Sequence, residues 1–249
     1  MRVIAGVAAV VVLTACTGNP GTPAQAGNTQ LVVFAAASLN GAFAQLANEF
    51  EAAHPRVGVR FSFDGSAALV DQFKQGAPVD VFASADRPTM ERATAAGLMA
   101  GPPARFASNV LTLIVPAGNP AGITGLDRSL DAAKLVICAD GVPCGSATAK
   151  LATLVGITLH PVSEETKVTD VRAKVESGQA DAGVVYVTDA LAAGDLVETV
   201  AIRGADRVRN DCLIGVTGRS RASILAGEFV ALVKGSRGQE VLAAAGFGQ

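Results

Sequence analysis

The sequence predicts an α/β fold, and three observations carry that prediction. Short apolar runs alternate with amphipathic stretches along most of the chain. Half of the 249 residues are hydrophobic and 17% are charged, a globular balance with enough chain to bury a sizeable core. Twice in succession, at Phe34–Leu39 and Phe63–Leu69, a strand pattern runs through small residues into a serine and then into a helical pattern. That places Ser38 and Ser66 off the carboxyl ends of strands, at helix starts whose unpaired N–H groups favour an anion. Serine is also an ordinary helix N-cap, and the local sequence leaves both readings open.

The chain opens with Arg2 and an apolar run, Val3–Leu13, too short to span a bilayer comfortably, so residues 1–15 read as an export signal. The run ends in Leu13-Thr14-Ala15-Cys16, which resembles a bacterial lipobox with Cys16 as the lipidated residue. Residues 16–29 are rich in Gly, Pro, Asn and Thr, carry no charge and read as a flexible tether. Leu31–Phe34 is the first strand, and Leu39, Phe43, Leu46, Ala47 and Phe50 follow at helical spacing. Val57, Val59, Phe61 and Phe63 alternate as a strand does, and Leu69, Val70 and Phe73 form the inner face of a helix ended by Gly76.

Val79–Ala83 is a third strand, and Asp86-Arg87-Pro88 opens a helix with Met90, Ala93 and Leu98 inside. Val110–Val115 and Leu135–Ala139 are further strands, separated by the turn-rich Pro116–Gly125. The glycine-containing loop Asp140–Ser146 leads to a helix expected over Ala147–Val155. Thr169 is the expected N-cap of the next helix, with Val171 and Val175 on one face and Gly178 at its end. Ala182–Val187 is a buried strand carrying Tyr186, the one tyrosine of the chain, at its carboxyl end. Strands over Leu196–Ile202 and Val208–Val216 and helices over Ser220–Val233 and Arg237–Ala245 complete the pattern.

The formal charge of −2 offers no basic surface for nucleic acid or anionic lipid. Nucleophilic catalysis is not expected: neither serine lies in a G-x-S-x-G elbow, and no Ser–His–acid arrangement stands out around His160. His54 and His160 lack ligand spacing to the cysteines, so no metal site is expected. Export permits disulfides. Cys138 and Cys144 flank one short loop and are expected to bridge, with Cys212 buried and free. Ser38, Ser66, the Val142–Ser146 loop, the helix start at Val171 and the Tyr186 hydroxyl are all neutral donors, with nothing basic in those short stretches. Such a set can hold a small dianion by hydrogen bonds and helix dipoles.

The segments FAAASL (34–39), FDGSAAL (63–69), GAPVDVFASAD (76–86), VPCGSA (142–147), TDV (169–171) and ADAGVVYVTDA (180–190) occur in this order. Together they resemble the molybdate-binding proteins of ABC importers, a branch of the type II periplasmic-binding fold. The resemblance runs from Leu31 to the C-terminus. It implies a two-lobed fold with a ligand cleft between the lobes, one lobe from 30–107 and 213–249 and the other from 108–212. It also implies that molybdate or tungstate is held by the hydroxyls and N–H groups of Ser38 and Ser66, the N–H groups of Cys144 and Val171, and the Tyr186 hydroxyl. Related proteins often have alanine where Cys144 stands, so a bridge to Cys138 would lock that donor in place. The further implications are a monomeric extracytoplasmic lipoprotein with no cofactor and no enzymatic activity. It would meet the membrane through its lipid anchor and an ABC permease that receives the ligand. Two alternatives stay open: another oxyanion, such as sulfate or phosphate, and a degenerate cleft serving as a scaffold or sensor.

Overall fold

The computed structural model describes residues 29–249. The expected leader, Cys16 and the tether up to residue 28 lie outside the described residues, and Thr29 already belongs to the first strand. In chain order the first half comprises β1 (Thr29–Ala36), α1 (Asn40–Ala53), β2 (Val57–Asp64), α2 (Ser66–Lys74), β3 (Val81–Ser84), α3 (Arg87–Ala95) and the long β4 (Ala104–Pro116). There follow β5 (Leu135–Cys138), α4 (Pro143–Val155), β6 (Ser163–Glu165), α5 (Val168–Glu176), β7 (Ala182–Tyr186), α6 (Val187–Ala193) and β8 (Val197–Val200). The chain closes with β9 (Arg209–Val216), α7 (Ser223–Lys234) and α8 (Ser236–Ala244). No helix among the described residues is long and apolar enough to cross a membrane.

The strands lie in the order β2-β1-β3-β9-β4-β7-β5-β6, with β8 added to β4. β1 runs parallel to β2 and β3, and β5 runs parallel to β6 and β7. Between these parallel groups, β9 and β4 are antiparallel to each other and to their outer neighbours. The buried residues divide accordingly. One core gathers Leu111–Ile202. The other joins Leu31–Ala107 to Cys212–Phe247, with a satellite cluster under α2 and α3. β4 and β9 run from one core to the other, paired from Ala104↔Ile214 to Val110↔Arg209 with one irregularity between Arg105 and Ala107.

The helical stripe of α1 packs as its spacing predicts. Phe43 and Phe50 meet Phe229 of α7 edge-on, with centroids 6.0 and 5.5 Å apart, and Phe61 of β2 stacks on Phe63 at 4.7 Å. Several boundaries differ from expectation. α4 begins at Pro143, not Ala147, because proline at the first helical position gives up an N–H that has no partner there anyway. α5 begins at Val168 with Lys167 as its cap, so Thr169 is inside the first turn. Ser38 does not cap α1: it lies in a tight turn, Ala37–Leu39, that precedes the helix. β6 and α6 are additional, both too short to leave a clear period in the sequence.

Asp80 fastens together the core that joins the two ends of the described chain. It is 6% exposed, and its Oδ2 accepts from the Val32 N–H at 2.9 Å. Its Oδ1 accepts from Ser220 Oγ at 2.7 Å and from the N–H groups of Arg221 and Ala222 at 2.9 and 3.4 Å. One carboxylate thus joins β1 to the segment that enters α7. Asp80→Ala strands several part-buried donors and is expected to cost about 2 kcal/mol of stability. Urea unfolding measures this, and a loss well below about 1 kcal/mol would contradict the assigned role.

Candidate functional site

The starts of α2, α4 and α5 and the tight turn after β1 line one small cavity of about 20 Å³, room for a single compact group. From one core its wall takes Ala36–Ser38, Asp64–Ser66 and Ala85. From the other it takes Val142–Cys144, Lys167, Val168 and Tyr186. Larger surface hollows of 290–640 Å³ have no such convergence. The two sides come very close. A Cβ built on Gly65 would lie 2.2 Å from the Thr166 carbonyl oxygen, so only glycine fits where β2 hands over to α2.

Ser66 is the first residue of α2 and is 1% exposed. Its Oγ accepts from the Ala85 N–H at 3.1 Å, which leaves its own proton to donate. Ser38 is half-buried on the same wall. Cys144 is the second residue of α4, a position whose N–H has no intrahelical carbonyl. A disulfide to Cys138 ties that first turn to the end of β5, with Cα atoms 5.7 Å apart. Gly145 follows, where a Cβ would sit 1.9 Å from the Ala139 carbonyl oxygen, so the turn is pressed against the strand that leads into it. Cys212 is buried and has no disulfide partner.

Tyr186 ends β7 and is 2% exposed. Its hydroxyl oxygen accepts from Asn210 Nδ2 at 2.6 Å. Burial first, then the negative charge of Asp86 nearby, pushes the phenol well above its ordinary range, so it stays protonated. Tyr186 is therefore a neutral donor facing the cavity.

The expected residue Val171 is placed differently from the other four. It is fully buried and is not on the cavity wall, where Lys167 and Val168 stand one turn earlier. Its side chain packs at Gly183, where a Cβ would come within 2.9 Å of Val171 Cγ1. The first turn of α5 also closes early. The Asp170 N–H bonds the Lys167 carbonyl at 3.2 Å, whereas in α2 and α4 it is the fourth N–H, of Leu69 or Ser146, that bonds the cap carbonyl. Two charged residues missed in the sequence also reach the wall. Asp64 Oδ1 accepts from the Gly65 N–H at 2.8 Å, and Lys167 lies 3.8 Å from Asp170 Oδ1. Asp64 and Lys167 are thus among the residues that line the cavity. The adjacency of Asp64 to the Gly-Ser pair and of Lys167 to the α5 start was the signal available. Among the described residues no group of three or more His, Cys, Asp or Glu could hold a metal.

Residues of two cores thus line one small cavity. The sequence model of the family described as bacterial extracellular solute-binding protein matches residues 31–248. The chain belongs to that family. Its members capture solutes for transport and are not enzymes. The molybdate-binding protein ModA of Mycobacterium tuberculosis is 45% identical over 240 residues, 94% of this chain and 92% of that protein. Among solved structures, the Azotobacter vinelandii periplasmic molybdate-binding protein matches with a TM-score of 0.77 at 22% identity, covering 88% of this chain and 99% of that one. The sulfate-binding protein SubI of M. tuberculosis matches with a TM-score of 0.72 at 22% identity, covering 88% and 86%. At those identities the two structures establish the fold and leave the ligand open.

Asp189, in the first turn of α6 directly after Tyr186, adds a pH-dependent element behind the cavity. It is 2% exposed, and its Oδ2 has no hydrogen-bond partner among the described residues. Burial lifts its carboxyl from 3.8 to about 7, against the opposing pull of Arg172 and a backbone hydrogen bond from Tyr186. The folded state therefore holds a proton that the unfolded chain has released between about pH 4 and pH 7. Stability from this group is present at low pH and is lost as pH rises through about 7. Urea unfolding across that range is expected to show wild type losing stability towards pH 8, relative to Asp189→Asn. Parallel profiles would contradict this.

Proposed function

We propose that the protein captures molybdate, and tungstate of nearly the same size and charge, and delivers it to an ABC permease. One observation carries the reading: Ser38, Ser66, Cys144 and Tyr186, residues far apart in sequence, meet on the wall of one small cavity between two cores. The serine hydroxyls and helix-start N–H groups would face the oxyanion from one side, and the Cys144 N–H, the α5 start and the Tyr186 hydroxyl from the other. Val171 joins this set through its N–H, which the early closure of α5 leaves out of the usual capping bond. The 45% identity to a protein named as molybdate-binding supports the choice of anion.

In this reading the chain has two lobes, 30–107 with 213–249 and 108–212, which close about the crossing strands β4 and β9. Sulfate is smaller and reaches the fixed donors poorly. Anchoring through Cys16 and the 16–29 tether would keep a monomeric, extracytoplasmic protein beside its permease.

Asp64 favours a second reading. A carboxylate on the wall can accept a proton-borne hydrogen bond, which suits hydrogen phosphate better than molybdate. Isothermal titration of the tether-free domain with molybdate, tungstate, sulfate and phosphate separates the two. Tight one-to-one binding of the first two alone is expected, and phosphate binding that is lost in Asp64→Asn would establish the second reading instead. Ser38→Ala and Ser66→Ala should each weaken molybdate binding by roughly 1–3 kcal/mol, and wild-type affinity in both would break the assignment. Cys138→Ser frees the first turn of α4 and is expected to lower affinity by loosening a preorganised donor. Unchanged binding would remove the disulfide from the account.

A further inference from the structure

We propose that Asn210 determines the specificity of the cleft: by donating to the Tyr186 hydroxyl, it commits the tyrosine proton to the cavity and denies that oxygen as an acceptor. This rests on the oxyanion reading above and goes beyond it, since Asn210 is not on the cavity wall. Asn210 Nδ2 lies 2.6 Å from Tyr186 Oη and 3.3 Å from the Pro143 carbonyl oxygen. A carbonyl only accepts, so the amide edge that faces both groups is the NH₂. That nitrogen has no lone pair to offer, and Tyr186 Oη is therefore the acceptor. The phenol has one proton, and with Asn210 behind the oxygen that proton is directed away from β9.

The strand holds the amide in place. Asn210 pairs with Asn109 across β4 and β9, and Asn109 Nδ2 donates to Thr188 Oγ1 at 2.8 Å, just beyond Tyr186. The next residue along, Asp211, points to the opposite face, as strand alternation requires. There it is held by Arg105 Nε at 2.7 Å and Arg87 Nη2 at 3.1 Å. The amide contact thus joins a crossing strand, the start of α4 and the tyrosine.

The consequence is chemical selection. An oxyanion without a proton takes the Tyr186 hydrogen bond, whereas a protonated one needs an acceptor and finds the tyrosine oxygen engaged. Asp64 is unchanged in every variant below, so its contribution cancels in the comparison.

The test titrates molybdate and phosphate into wild type, Asn210→Leu, Asn210→Asp, Tyr186→Phe and the Asn210→Leu/Tyr186→Phe double variant. Asn210→Leu is expected to lower the molybdate-to-phosphate affinity ratio by roughly tenfold, the scale of a repurposed hydrogen bond. Asn210→Asp should weaken molybdate further, because its carboxylate accepts the tyrosine proton and adds negative charge. It also preserves side-chain size, so a folding defect in Asn210→Leu does not remove the test. On the Tyr186→Phe background Asn210→Leu should have no further effect on molybdate binding, a readout available even where phosphate binding is undetectable. The proposal is overturned if Tyr186→Phe weakens molybdate binding while Asn210→Leu changes nothing. It is equally overturned if Asn210→Leu acts to the same extent with or without the tyrosine. Failure of the underlying reading looks different: wild type binds none of the anions, or Tyr186→Phe keeps full affinity, and either result removes the proposal with it.

Discussion

The backbone N–H groups at a helix start have no carbonyl within the helix, and this fold aims several such starts at a single point. That constraint organises the molecule. β1 ends at a tight turn, β2 and the segments leading to α4 and α5 end where a helix begins, and all four ends line one cavity. Small residues are required there. Ala36, Ala37 and Gly65 keep side chains out of the space between the N–H groups and whatever occupies the cavity. A set of oriented dipoles can hold an anion without a matching cationic centre, and fixed donors in general discriminate by ligand size and protonation.

The second constraint is the crossing pair. Because β4 and β9 run from one core to the other, residues on them touch both. Asn109 and Asn210 reach towards α6 and Tyr186, while Arg105 and Asp211 pair on the other face. The strands that would serve as hinges in the proposed two-lobed reading also carry polar contacts to Tyr186 and Thr188 beside the cavity. The Gly65–Thr166 approach shows how little clearance the two sides have.

Much of this was legible in the residues. The stripe Phe43, Leu46 and Phe50 predicts α1, and the alternation Val57, Val59, Phe61 and Phe63 predicts β2, because buried faces impose their periods on sequence. Ser38, Ser66 and Tyr186 stand at strand ends or helix starts in the sequence, Cys144 lies in a loop and is singled out only by the family resemblance, and all four line one wall. Asp64 and Lys167 were missed because a charged residue beside a turn looks the same in sequence whether it faces solvent or a cavity. Val171 sits two residues deeper in its helix than the sequence suggests, because the cap is Lys167 and not Thr169.

The sequence by itself determined the local elements and the chemical character of their ends, because hydrophobic period, small residues and capping groups act between near neighbours. Tertiary structure alone decided which of those ends face one another. The Asn210–Tyr186 and Ser66–Ala85 hydrogen bonds join residues 24 and 19 positions apart. Whether a serine caps a helix or points its proton into a cavity depends on where the neighbouring strand places its N–H, and that follows from sheet order and the closeness of the two cores.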